Sequence, residues 1–181
     1  MALLLAAMVW AGRAEAITIQ FQATDLADTV AGEDRWRYDY VVSDILFAAD
    51  EGFSVYFDLS LYEALDTAPG AAGADWDLLA LQPDPVLPSD GVFDALALVG
   101  AASLALPFPV EFNWLGGPGT SPGSQAFDVY ALDPLGAFVL LDSGRTRPAG
   151  AVPEPGVTAL LVLGGWAVAA AARRRSRQLP Q

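Results

Sequence analysis

The sequence predicts an all-β domain, an antiparallel β-sandwich of the jelly-roll-like or Ig-like kind, followed by one C-terminal transmembrane helix. Three observations carry that expectation. Apolar residues recur with period two in many short runs, the signature of strands with one buried face. The connections between those runs are rich in Gly, Pro, Asp and Ser, which supply the dihedrals and local hydrogen bonds that tight turns need. A long charge-free stretch lies near the end of the chain, and arginines follow it directly. Many short strands joined by such turns build sandwiches or barrels.

The strands follow in order. Ile17, Ile19 and Phe21 alternate with Thr18, Gln20 and Gln22. Trp36, Tyr38, Tyr40 and Val42 alternate with Arg35, Arg37 and Asp39, and Phe53, Val55, Phe57, Leu59 and Leu61 alternate with Ser54, Tyr56, Asp58 and Ser60. Shorter strands are expected over residues 76–81, 92–99, 110–115, 126–132 and 137–142. The Ala- and Leu-rich stretch 95–106 also fits a helix. Turns fall at Ala68-Pro69-Gly70, Gln82-Pro83-Asp84-Pro85 and Gly116-Gly117-Pro118-Gly119. No internal repeat or boundary divides residues 17–145, and residues 147–151 read as a short flexible linker.

Composition narrows the function. The region from Ile17 to Gly150 holds 20 of the acidic residues and four arginines, Arg35, Arg37, Arg145 and Arg147, a net charge of −16. Such a surface repels nucleic acid and anionic lipid, whereas divalent cations and neutral polymers remain suitable partners. The chain has no lysine, histidine or cysteine. Serine–histidine and cysteine–histidine mechanisms are therefore excluded, as are lysine-based chemistry and disulfide bonds. The glycines at 116–119 lack the Gly-Lys-Ser/Thr ending of a phosphate loop and read as a turn.

The two ends carry an address. Residues 2–12 are apolar, and Ala14-Glu15-Ala16 gives the small-x-small pattern of a signal-peptidase site, so residues 1–16 are expected to be a signal peptide. No basic residue precedes that apolar run. Either the true start lies upstream or the amino terminus alone supplies the charge. At the other end, residues 156–172 carry no charge and span roughly 25 Å as a helix, near the lower limit for crossing a bilayer. A core helix would show one polar face, and this run shows none. Pro155 suits a first helical turn. Arg173, Arg174, Arg175 and Arg177 form a positive flank of the kind that stays cytoplasmic. The expected organisation is a signal peptide (1–16), a β-sandwich domain outside the cytoplasm (17–146), a linker (147–155), a membrane helix (156–172) and a basic tail (173–181).

Val152-Pro153-Glu154-Pro155, the apolar run and the arginine cluster together resemble a PEP-CTERM sorting signal, a tail also labelled after ice-binding proteins that carry it. The stretch from Gly116-Gly117-Pro118-Gly119 through Pro122-Gly123-Ser124-Gln125-Ala126-Phe127 to Val129-Tyr130, with Ser143-Gly144-Arg145-Thr146, is similar to small proteins with that tail. The resemblance implies an exported protein held in the inner membrane by its C-terminal helix. It implies as partner an exosortase, a membrane transpeptidase-like enzyme that removes the tail near the motif. Proteins with this tail are associated with exopolysaccharide-producing Gram-negative bacteria. The implied role is that of a cell-surface or biofilm-matrix protein, structural or in contact with exopolysaccharide.

Candidate site residues fall into two groups. Trp36, Tyr38 and Tyr40 share one strand face and would suit sugar rings, whose C–H faces pack on flat aromatics. The same spacing equally builds a sandwich core. Asp75, Asp77, Asp84 and Asp90 lie in a loop-rich stretch and are candidate calcium ligands, because calcium takes six to eight oxygens on flexible loops. No stretch matches the EF-hand spacing, and solvated loop charge accounts for the same residues. Zinc is disfavoured without His or Cys. Arg35 and Arg37 are expected to pair with acids such as Asp34 or Asp39. No catalytic constellation emerges, so the protein is read as a non-enzyme without a required cofactor. A calcium-dependent adhesion or assembly module is the alternative, and an extracellular hydrolase using two carboxylates is a third reading.

Overall fold

A computed structural model describes residues 17–68 and 72–150. The expected signal peptide, the sorting motif Val152, Pro153, Glu154 and Pro155, the C-terminal helix and Arg173, Arg174, Arg175 and Arg177 lie outside the described residues. Those that are described form ten strands and no helix: β1 (Thr18–Asp25), β2 (Arg35–Ser43), β3 (Glu51–Phe57), β4 (Tyr62–Thr67), β5 (Trp76–Leu81), β6 (Gly91–Ala97), β7 (Phe108–Trp114), β8 (Ala126–Leu132), β9 (Phe138–Arg145) and β10 (Arg147–Pro148). They make two five-stranded sheets, with order β10-β1-β2-β7-β4 in sheet A and β5-β6-β3-β8-β9 in sheet B. Every pairing is antiparallel except that of β1 with β10.

The period-two pattern decides which side chains meet. One face of β1, β2 and β7 presents Ile19, Phe21, Tyr38, Tyr40, Val42, Phe108, Val110 and Phe112, all buried. Sheet B answers with Phe53, Val55, Phe57, Trp76, Phe93, Phe127 and Val129, also buried. Several rings cross between the sheets edge to face: Phe53 and Phe108 stand 5.0 Å apart at 86°, and Trp76 and Phe108 stand 4.9 Å apart at 89°. Phe57 meets Tyr62 at 5.1 Å and 89°. The positive edge of one ring thus faces the negative face of the next, which adds about 0.5–1.5 kcal/mol per pair beyond area burial.

One end of this core is polar inside. Tyr38 hydroxyl donates to Gly123 carbonyl at 2.8 Å, and Tyr40 hydroxyl donates to Gln125 Oε1 at 3.1 Å. Gln125 Nε2 donates to Tyr38 at 2.7 Å and to Tyr62 at 2.9 Å. Thr146 hydroxyl donates to Gln125 Oε1 at 3.1 Å and accepts from the Gln125 backbone N–H at 2.9 Å. One amide therefore satisfies three tyrosines, and among the described residues no buried side-chain polar atom lacks a partner. Thr146 sits where the chain leaves β9 in sheet B and enters β10 in sheet A, so the same amide ties the two sheets at that corner.

The structure departs from the sequence expectation in four places. The long alternating run 53–61 divides, because Asp58 Oδ1 accepts the Ser60 N–H at 2.8 Å and the Asp58 carbonyl accepts Leu61 N–H at 2.9 Å, folding a turn between β3 and β4. β4 itself was hidden by a bulge between Glu63 and Asp66, where Ala64 takes φ 53°. There the Gln82 carboxamide stands in for a neighbouring strand, accepting Leu65 N–H at 2.9 Å and donating to the Leu65 carbonyl. Residues 95–106 are not a helix. β6 ends at Ala97, and the following turn is held by Asp75, whose carbonyl accepts Leu98 N–H at 2.8 Å and whose carboxylate accepts Ser103 N–H at 3.0 Å. Finally, Arg147 and Pro148 pair with Gln20 and Phe21, and Ala149 N–H donates to Phe21 carbonyl at 2.7 Å, so the sheet takes in the first residues of the expected linker.

The corner amide yields a prediction. Gln125→Leu keeps the volume but takes the acceptor from the Tyr40 and Thr146 hydroxyls and a donor from those of Tyr38 and Tyr62, and a buried polar group left unsatisfied costs about 1–3 kcal/mol. We expect a loss of about 3 kcal/mol and a melting temperature lower by roughly 10 °C in a thermal melt. A shift of under about 2 °C would show that the hydroxyls do not depend on this amide.

Candidate functional site

With the rings turned inward, the outer faces of the two sheets carry what remains for function. On sheet A the outward residues of β1 are Thr18, Gln20, Gln22 and Thr24, an uncharged polar row in an acidic domain. Across the ladder, Gln22 stands opposite Asp39, Thr24 opposite Arg37 and Gln20 opposite Val41. The segment from Leu104 to Pro107 forms the far bank of a hollow of about 450 Å³ floored by Gln20, Gln22, Arg37, Asp39 and Val41. A second hollow of about 580 Å³ shares Phe21, Gln22 and Ala149 with the first and runs to Pro122, Ser124 and Pro148. Together they make one shallow groove along β1, polar on its floor and apolar on its banks.

The groove's charges are paired in advance. Arg37 Nε and Nη2 both donate to Asp39 Oδ1, at 2.9 and 2.8 Å. Beside it Arg35 Nη2 donates to Glu111 Oε2 at 2.9 Å. Both pairs keep more than a quarter of their side-chain surface exposed, so each stabilises by at most about 1 kcal/mol. Their effect is to hold the guanidinium planes still and make the floor locally neutral. Among the described residues, the Gln20 and Gln22 carboxamides are engaged by no other side chain.

The residues singled out from the sequence divide differently. Tyr38 and Tyr40 are 0% exposed and belong to the core, which removes them as ligand contacts. Trp36 lies half-buried at the rim, its indole N–H donating to Asp34 Oδ1 at 2.7 Å. Asp75, Asp77, Asp84 and Asp90 do not converge. Asp75 holds the turn after β6, Asp84 Oδ1 accepts the N–H groups of Val86 and Leu87 at 2.7 and 3.1 Å, and Asp90 Oδ1 accepts Leu59 N–H at 3.1 Å. Asp77 stands exposed on the outer side of β5. Among the described residues, no three carboxylates lie close enough to share a cation. Arg37 pairs with Asp39 as expected, whereas Arg35 chooses Glu111 on β7 over Asp34.

The outer face of sheet B carries a network that the sequence did not announce. Ser54 Oγ and Tyr130 hydroxyl donate to Asp94 at 2.7 and 2.8 Å, and Tyr56 hydroxyl donates to Asp128 at 2.9 Å. Tyr130 reaches Asp94 by lying flat across β3, and this is why Gly52 has no side chain: a Cβ there would come within 2.5 Å of Ala95 carbonyl and 2.8 Å of the Tyr130 hydroxyl. Phe138 stacks on the Tyr130 ring at 4.4 Å. Burial pushes the Asp94 carboxyl above the usual range, and the two hydroxyl donors pull it part of the way back. Tyr56 is pushed up to about 12, first by desolvation and then by Asp128. The only signals in the sequence were Ser, Tyr and Asp at outward positions of neighbouring strands.

No protein-family model matches the chain, and no curated protein is similar to it. Among solved structures, a cohesin module from Clostridium perfringens ATCC13124 family 33 glycoside hydrolase is similar at a TM-score of 0.35 and 9% identity, covering 74% of this chain and 96% of that one. The fold described above rests on the strand ladders themselves.

The Asp94 network gives a test with a defined sign. A carboxyl whose pKa is higher folded than unfolded binds its proton more tightly in the fold. Its contribution is complete below the unfolded value and is lost as pH rises through the folded one. Asp94→Asn keeps polar partners for Ser54 and Tyr130 without the half-buried charge. Relative to the wild type it is expected to melt higher at neutral pH, with the gain fading as pH falls through the raised Asp94 pKa and the carboxyl takes up its proton. A difference that does not change with pH would contradict this reading of Asp94.

Proposed function

We propose that this chain is an exported, non-catalytic surface or matrix protein that contacts a neutral polysaccharide through the groove along β1. The observation that carries the reading is the groove floor, where two unengaged carboxamides adjoin a locked Arg37–Asp39 pair within a domain of strongly negative charge. Carboxamides donate and accept at once, as sugar hydroxyls require. The apolar bank at Leu104, Leu106 and Pro107, with Val41 on the floor beside it, suits the C–H faces of a sugar chain, and the open groove admits a polymer from either end. The surrounding acids turn away polyanions. The interleaving of β8-β3-β6 in one sheet with β2-β7-β4 in the other favours a jelly-roll connection.

Sorting belongs to the same proposal. The Val152-Pro153-Glu154-Pro155 motif, the apolar run and Arg173 to Arg177 support delivery to the inner membrane with the domain outside, tail removal by an exosortase, and release to the cell surface or matrix. Two measurements test it. The intact mass in the host is expected to lose the segment beyond Pro155 only when the exosortase is present. A full-length C-terminus in both strains would remove sorting from the account. Affinity electrophoresis in gels cast with the host's neutral exopolysaccharide is expected to retard the protein, with the shift reduced up to about tenfold in apparent affinity by Gln22→Ala combined with Arg37→Ala, since each lost hydrogen bond is worth about 0.5–1.5 kcal/mol. Equal mobility with and without polysaccharide would end the binding proposal and leave the sorting one standing.

A further inference from the structure

Among the described residues four strand edges border the two sheets, and three of them are protected. β10 is two residues long and includes Pro148, which has no N–H to offer. β4 is broken by its bulge and bears Glu63 and Asp66. β5 adjoins β4, and Gln82, just past its end, clasps the Leu65 backbone. The first half of β9 is different. Residues 134–141 carry no charge between Asp133 and Asp142, and Phe138, Val139, Leu140 and Leu141 are 50%, 46%, 56% and 50% exposed. Successive residues of a strand point to opposite faces, so this segment is apolar on both sides of the sheet, and among the described residues no strand pairs with its outer edge. Edges of this kind are what strand addition uses. A bulge at Leu141, between the pairs Val129–Asp142 and Tyr130–Leu140, limits the regular stretch to the residues before it.

We propose that two copies of this chain pair antiparallel through their β9 edges near Val139, joining their B sheets into one. Charge selects a second copy as the occupant. Self-association of so acidic a domain requires a patch without acids, and this is such a patch. An antiparallel two-fold near Val139 also carries the exposed Arg145 of each copy, which donates to Ser124 carbonyl at 2.7 Å, toward the other's β8–β9 turn, where Asp133 sits. Each rim of the seam then has one arginine facing one aspartate.

The absence of cysteine from the chain makes the test clean. In the full chain in nonionic detergent, Val139→Cys places two thiols across the axis at a separation that a disulfide can span, because opposed strand residues lie about 4.5–5.5 Å apart. Under mild oxidation it should form a crosslinked dimer at least tenfold faster than Leu79→Cys, on the outer face of the opposite edge strand of the same sheet. Adding Leu140→Asp or Arg145→Glu to Val139→Cys should slow the crosslink severalfold while the melting temperature holds. Equal rates for Val139→Cys and Leu79→Cys would mean that the C-terminal segment or chance collision brings chains together, and would overturn the proposal. So would a crosslink indifferent to Leu140→Asp. A chain that stays uncrosslinked would leave the edge to another protein's extended segment or to solvent, and would refute pairing of like copies.

Discussion

Three tyrosine hydroxyls inside a core of phenylalanines constrain everything else in this domain. Tyr38, Tyr40 and Tyr62 contribute rings to the inter-sheet packing, yet each brings an oxygen that cannot be left bare in a low-dielectric interior. The Gln125 amide answers all three, and it can do so only if residues 123–125 and Thr146 sit over that end of the core. This fixes where the chain crosses from β9 to β10 and so where sheet A gains its last strand. Further along β4, Gln82 plays a comparable part, closing the bulge by bonding both backbone groups of Leu65. Two side-chain amides thus supply the polar partners that an otherwise apolar two-layer structure lacks.

That arrangement separates stability from function. With Tyr38 and Tyr40 turned inward, the aromatic platform that their strand face would have offered a sugar is consumed by the core. What the outer faces retain is chemically modest: carboxamides and paired charges on sheet A, and tyrosine–carboxylate pairs with an apolar edge on sheet B. Such surfaces suit contact with polymers and with like chains, where many weak interactions add along a length. Asp94, half-buried, is held by two hydroxyls on an open sheet face rather than in a cleft.

The strands were legible where period two acted alone. β5 and β8 fall on the expected residues, and β2 differs by one, because alternation was unbroken and turn residues marked both ends. β4 was illegible because its bulge interrupts the alternation at Ala64, and its closing partner, Gln82, is a side chain seventeen positions away. β10 escaped because a two-residue strand has no period. The site was less legible than the fold. Periodicity places a tyrosine on a face without saying which face is covered, so Tyr38 and Tyr40 fitted a platform and a core equally. The grooved face depends on the segment from Leu104 to Pro107 folding beside β2, and nothing in the local sequence of Gln20 or Gln22 reports that distant neighbour. The acids read as calcium candidates were turn-formers, since an aspartate that accepts backbone N–H groups and one that awaits a cation look alike in sequence.

The central claim is that the uncharged row of β1 and its bank form the contact surface. Amide hydrogen exchange of the full chain, with and without the host's neutral exopolysaccharide, addresses it residue by residue. The account predicts added protection over Gln20 to Ala23, Arg37 to Val41 and Leu104 to Pro107, with the outer strands of sheet B unchanged. Protection centred on β6, β3 and β8, or none along β1, would contradict it.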